Sequence, residues 1–111
     1  MDSFAIYYYH GGRFASIGGE TVYIGGTILR KSGFDADRVG FLELVDDVEK
    51  LGYSEVKLFY IVLGLSLNVG LREIKDDREV MEMVKVLNVE NALVEVYVQG
   101  VNSGKGEKVV P

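Results

Sequence analysis

The chain has 111 residues with 12 basic and 17 acidic side chains, a formal net charge of −5, and apolar residues make up 48% of it. That length predicts one domain, with enough apolar material to bury on the order of two thirds of its unfolded surface without covalent staples. The lack of cysteine excludes disulfides, thiolate zinc sites, iron–sulfur clusters and a cysteine nucleophile, and one histidine, His10, is too few for a histidine metal centre.

Charge is unevenly spread. Residues 1–40 balance, whereas residues 41–99 hold twelve acids against six bases. Phosphate neutralisation needs a basic stripe, and Arg30-Lys31 is an isolated pair, so direct nucleic-acid binding is not expected. Met1-Asp2-Ser3 carries acid where a secretory signal would carry base, and no apolar run approaches a membrane span. These features predict an intracellular protein, nuclear or cytoplasmic, with no membrane partner.

In chain order, Phe4 to His10 is aromatic and β-branched and stops at Gly11-Gly12, which predicts a first strand. Alternation sets Phe4, Ile6 and Tyr8 on one face and Ala5, Tyr7 and Tyr9 on the other. Glycine pairs recur at Gly11-Gly12, Gly18-Gly19 and Gly25-Gly26, too few and too closely spaced for a solenoid repeat. Paired glycines suit turns and bulges, and a second strand is expected near 20–31, broken at Gly25-Gly26.

From Phe41 the period changes. Phe41, Leu44, Val45, Val48 and Leu51 form an apolar stripe opposite Glu43, Asp46, Asp47, Glu49 and Lys50, which predicts an amphipathic helix stopped by Gly52. Val56–Leu63 reads as a third strand, more continuously apolar and so internal to the sheet. A loop of alternating leucines lies between Gly64 and Gly70, followed by a short strand at Leu71–Ile74. Asp76 with Glu79 has the acid-x-x-acid form of a helix start, and Val80, Met81, Met83, Val84 and Leu87 supply the stripe of a second helix over about 77–87. Ala92–Val98 alternates as a last strand. Residues 100–111 are polar and glycine-rich and read as a linker or tail after a 1–99 domain.

A helix between two hairpin-like halves of a mixed sheet is the β-grasp, or ubiquitin-like, arrangement of the α+β class, with two helices and with the first and last strands parallel in the middle. A ferredoxin-like sandwich competes, but it needs a helix directly after the first strand, where the glycine-rich 11–31 stretch is a poor helix former.

No constellation points to catalysis, and none to a cofactor or a metal. The carboxylate pairs Asp46-Asp47 and Asp76-Asp77 are sequence neighbours that diverge by about 100° on a helix, which makes them solvated surface acids or caps rather than a converging dyad. His10 reads as a strand-end residue bonding the backbone at the Gly11-Gly12 turn. The serines lack an elbow or triad partners, and the Gly100–Gly106 stretch lacks the hydroxyl and the helix of a phosphate loop. What remains is surface. If the first and last strands adjoin, Tyr7, Tyr9 and Tyr97 fall on the face away from the helix, where an aromatic patch could anchor a partner; β propensity alone also accounts for them.

The series Tyr9-His10-Gly11-Gly12-Arg13-Phe14, Tyr23-Ile24-Gly25-Gly26, Leu51-Gly52-Tyr53, Leu58-Phe59-Tyr60, Gly70-Leu71, Ile74, Asp77, Glu79-Val80, Met83 and Val96-Tyr97-Val98 resembles the plant Phox-and-Bem-one-like domain. That domain stands at the amino end of Mutator-type transposases and of host proteins derived from them. The resemblance implies a ubiquitin-like fold and a non-catalytic protein-interaction role, with a protein partner or a second copy as ligand and with the nucleus as a location. Classical relatives associate front to back, a lysine on the first strand of one copy meeting an acidic loop and helix of the next. Here Tyr7, Tyr8 and Tyr9 stand where that lysine would be, and the 63–70 loop has no acid; Asp76, Asp77 and Glu79 match the acidic part. The candidate interface is therefore Tyr7, Tyr9 and Tyr97, with Asp46, Asp47, Asp76, Asp77 and Glu79. A ubiquitin-like modifier is an alternative, although Val109-Val110-Pro111 stands where a conjugated modifier has Gly-Gly; a structural amino-terminal cap without its own partner is another.

Overall fold

A computed structural model describes residues 3–100. The expected linker therefore lies, from residue 101 onward, outside the described residues. Seven strands and three helices follow in order: β1 (Phe4–His10), β2 (Arg13–Ile17), β3 (Glu20–Ile24), β4 (Thr27–Phe34), α1 (Phe41–Glu49), β5 (Val56–Ile61), α2 (Leu67–Gly70), β6 (Leu71–Ile74), α3 (Asp77–Val84) and β7 (Leu93–Gly100).

Five strands form one mixed sheet in the order β4-β1-β7-β5-β6. The first and last strands lie parallel at its middle, with Tyr8 opposite Val96 and Tyr9 opposite Tyr97, and the other pairs are antiparallel. This is the β-grasp arrangement, and the ferredoxin-like competitor falls because strand, not helix, follows β1. The alternation of β1 turns Phe4, Ile6 and Tyr8 inward, β7 adds Val94, Val96 and Val98, and Leu44 and Val48 of α1 with Val80 and Met83 of α3 complete one core cluster. These side chains are almost wholly withdrawn from solvent, each worth on the order of 1.5–3 kcal/mol of transfer free energy.

The strand expected near 20–31 is broken at Gly25-Gly26 into β3 and β4, as read from the sequence, and the 11–34 region adds β2, which was not expected. That region holds three strands, and β2 pairs only with β3 as a separate hairpin. The reason lies in the glycine pairs. Gly18 and Gly19 both have positive φ, +61° and +84°, as a two-residue turn closing Ile17 against Glu20 requires. At the hairpin root the chain passes so closely that a Cβ on Gly26, itself at φ +84°, would collide with the His10 carbonyl. Gly18-Gly19 is thus the chain reversal, whereas Gly11-Gly12 and Gly25-Gly26 face each other and interrupt the two arms, since the register that sets His10 opposite Thr27 continues into Arg13 opposite Ile24.

The helices differ from expectation at their ends. α3 stops at Val84 because Lys85, Val86 and Leu87 donate to carbonyls three residues back and so continue as tight turns through 87. The expected 63–70 loop contains the single turn α2. Gly40 offers α1 no side-chain cap; instead Asp77 Oδ1, at the start of α3, accepts from the Phe41 N–H at 2.7 Å. Asp76 caps its own helix in a reciprocal box with Glu79. Two adjacent aspartates therefore cap two different helices and hold their amino ends together.

Candidate interaction surface

The acids of α1 divide sharply. Asp46 is exposed and pairs with Lys50 at 3.1 Å, as the four-residue spacing predicts. Asp47 corrects the solvated-acid reading: its residue exposure is 5%. Its Oδ2 accepts the Tyr8 hydroxyl at 2.8 Å, and its Oδ1 pairs with the Lys31 ammonium. Tyr8 is fully buried, and burial first, then the hydrogen bond to Asp47, pushes its hydroxyl far above the usual tyrosine range. A buried carboxylate is tolerable only with such partners, since an unpaired one forfeits its hydration. Asp47 is consequently a core polar residue linking β1, β4 and α1, and it presents no carboxylate to a partner. Lys31 was not among the expected site residues; Asp47 sits three residues after Leu44 and one before Val48, and that closeness to the buried stripe was the available signal.

The tyrosines also part company. β1 and β7 bring Tyr9 and Tyr97 into a stack, with centroids 4.5 Å apart and 12° between planes. The expected open face is, however, covered over this region by the β2–β3 hairpin. Phe14 of β2 meets Phe59, Tyr23 and Tyr97, and Tyr23 of β3 meets Tyr97 at 5.3 Å. Tyr23 fastens the cover, donating its hydroxyl to the Val98 carbonyl at 2.8 Å while accepting from the Gly12 N–H at 3.1 Å. Tyr97 is left 8% exposed, and burial raises its hydroxyl above the ordinary value. Tyr9 is partly exposed; it donates to Glu95 at 3.0 Å, and burial together with that bond pushes its pKa up to about 12. Tyr7 is partly exposed, and its side chain makes no hydrogen bond or ring contact among the described residues. Phe14, Tyr23 and Phe59 are the aromatic residues the linear reading missed. Phe14 and Tyr23 alternate correctly for one face of a hairpin, but nothing local says that the hairpin folds back.

His10 likewise differs from its expected backbone role. Its Nδ1 lies 3.0 Å from the Tyr53 hydroxyl and its Nε2 lies 3.2 Å from Thr27 Oγ1. It ties the start of β4 to the segment after α1 and is spent in doing so.

Asp76 and Asp77 are exposed and Glu79 is partly exposed. The hydrogen bond with Glu79, and then the N–H groups of Arg78 and Glu79, hold the Asp76 carboxyl below its ordinary range. Asp76, Asp77 and Glu79 thus lie at the start of α3, where Asp77 also meets the start of α1, while Asp46 stands further along α1 against Lys50. A cleft of about 190 Å³ lies elsewhere, among Leu63, Leu65, Val86 and Leu93. It is smaller than ordinary small-molecule sites, and its polar side chains, Asn91 and Glu95, are engaged internally. No group of three or more metal-ligating side chains occurs among the described residues, and no helix there is long and apolar enough to cross a membrane.

No curated protein and no solved structure matches the chain at a significant level. The model of one family does match, over residues 1–100, and it agrees with the mixed sheet and helices just described: the chain belongs to the PB1-like domain family.

Proposed function

We propose that this PB1-like domain binds a protein partner through the acidic surface of α1 and α3, a second copy being the partner to test first, and that it stands in a transposase-like or transposase-derived plant protein working in the nucleus. PB1-like domains are generally protein–protein interaction modules without catalysis of their own. The observation that carries the reading is the placement of charge. Asp46, Asp76 and Asp77 are exposed, and the caps that fix Asp76 and Asp77 also fix the surface they make. The ordered motif series from Tyr9 to Val98 supports the transposase context. Asp47 and Tyr97 drop out of the interface because the fold buries them, and Tyr7 and Tyr9 lie on the other sheet face, away from it.

Light scattering of the full chain across concentration, at low and high salt, tests this. A mass that rises with concentration at low salt and returns to the monomer at high salt is expected, because exposed charges are screened beyond about 8–10 Å at physiological ionic strength. A monomer at every concentration would remove self-association, and salt-independent association would remove the acidic surface as its cause.

A further inference from the structure

Among the described residues the sheet has an open edge on a strand that carries none of the acidic residues. Within those residues β4 is the outermost strand and pairs only with β1. Its outward N–H and C=O groups therefore have no strand partner. The pairing skips one residue where β1 passes from Ile6 to Phe4 while β4 passes from Lys31 to Phe34, and Gly33, at φ +86°, takes the left-handed conformation of that bulge. The regular edge is thus Thr27–Lys31.

Side chains alternate along this edge. Leu29 and Lys31 lie on the helix side, opposite Tyr8 and Ile6, and Lys31 is already held by Asp47. Ile28 and Arg30 lie on the reverse side, opposite Tyr9 and Tyr7. Ile28 is 56% exposed. Arg30 is exposed, and its side chain makes no hydrogen bond or ion pair among the described residues, in a chain with an excess of acid.

We propose that the Thr27–Lys31 edge accepts an extended segment of a partner protein as an added strand, with a carboxylate set against Arg30 and an apolar side chain against Ile28. Side chains two residues apart on a strand share a face, so one acid-x-apolar segment meets both groups, while main-chain bonds supply the ladder. A second copy of β4 fits less well. β4 contains no acid, so pairing it with itself leaves Arg30 without a carboxylate, and so short a ladder falls short of the roughly 1,000 Å² that a stable interface needs. The inference rests on the domain being an interaction module but concerns a different surface from the acidic one.

The probe is a capped synthetic peptide in which threonine alternates with glutamate and valine in turn, titrated into the isotope-labelled full chain and followed by amide shifts and hydrogen exchange. Shifts and slowed exchange confined to β4 around Thr27–Lys31 are expected. A peptide with lysine for glutamate should bind about fivefold more weakly, and Arg30→Glu should reverse that preference with an unchanged circular dichroism spectrum. No binding, equal affinity for the two peptides, or shifts centred on α1 and α3 would overturn the proposal. Protection of β4 that grows with protein concentration in the absence of peptide would overturn it in favour of a second copy. If light scattering shows salt-sensitive association while β4 stays silent, the edge inference falls and the acidic-surface reading stands.

Discussion

The two faces of the five-stranded sheet are covered by different devices. On one face α1 and α3 lay down amphipathic helices whose apolar stripes, Leu44 with Val48 and Val80 with Met83, are almost entirely buried. On the other, a two-stranded hairpin folds back and presents Phe14 and Tyr23 to Phe59 and Tyr97. The helix side is a close-packed apolar core holding one polar network. The hairpin side is a cluster of half-buried rings fastened by Tyr23, and its cover stops short of β4. The difference teaches where the molecule can bind: the helix side displays charge on the outer faces of its helices, and the hairpin side leaves a strand edge bare.

Disturbing the polar network should show the larger effect. Asp47→Ala leaves the fully buried Tyr8 hydroxyl without its acceptor, and a loss of about 1–3 kcal/mol is expected in denaturant unfolding. Asp47→Asn, which retains an acceptor, should recover part of it. Unfolding of the alanine variant at the parent's denaturant concentration would mean that the network adds nothing to the helix side.

Removing the hairpin's main ring should cost less. Phe14→Ala gives up a half-buried contact, and about 1–2 kcal/mol is expected from its area. Amide exchange sharpens the comparison: amides of β2 and β3 should exchange much faster while those of β1 and β7 change little. Uniform acceleration would show that hairpin and helix side open as one unit.

The smallest effect near neutrality is expected from pH. Tyr8, Tyr9, Tyr23, Tyr53, Tyr60 and Tyr97 all have hydroxyls raised above the ordinary value, chiefly by burial. The unfolded chain therefore loses these protons first. Their contribution to stability is complete below about pH 10 and is lost as pH climbs through the folded values, about 12 for Tyr9. Circular dichroism and phenolate absorbance should change together between those limits; phenolate appearing before any loss of structure would place the rings in solvent.

Much of this arrangement is legible along the chain. The inward set of β1, the stripe of α1, the Asp76–Glu79 box and the clean alternation of β7 all have local periods or caps that a linear reading detects, and the parallel pairing of the chain's first and last strands follows from their order. The misreadings share a cause. Asp47 looked like Asp46 because helical position alone separates them, and only the meeting of Tyr8 and Lys31 over one carboxylate makes burial tolerable. Tyr97 looked exposed because alternation says which face a residue takes and not what lies on that face.

By itself the sequence determined the elements, their order and the apolar faces, because backbone propensity, turn glycines and side-chain periodicity act over a few neighbouring residues. The tertiary structure decided which polar groups are spent and which are left over. It buried Asp47, fastened Tyr23 to Val98, used His10 to join Tyr53 and Thr27, and left the Arg30 side chain and the outer edge of β4 without a partner among the described residues. The physical reason is that a hydrogen bond or ion pair between residues tens of positions apart exists only once packing has brought them within about 3 Å, and no local period encodes that meeting.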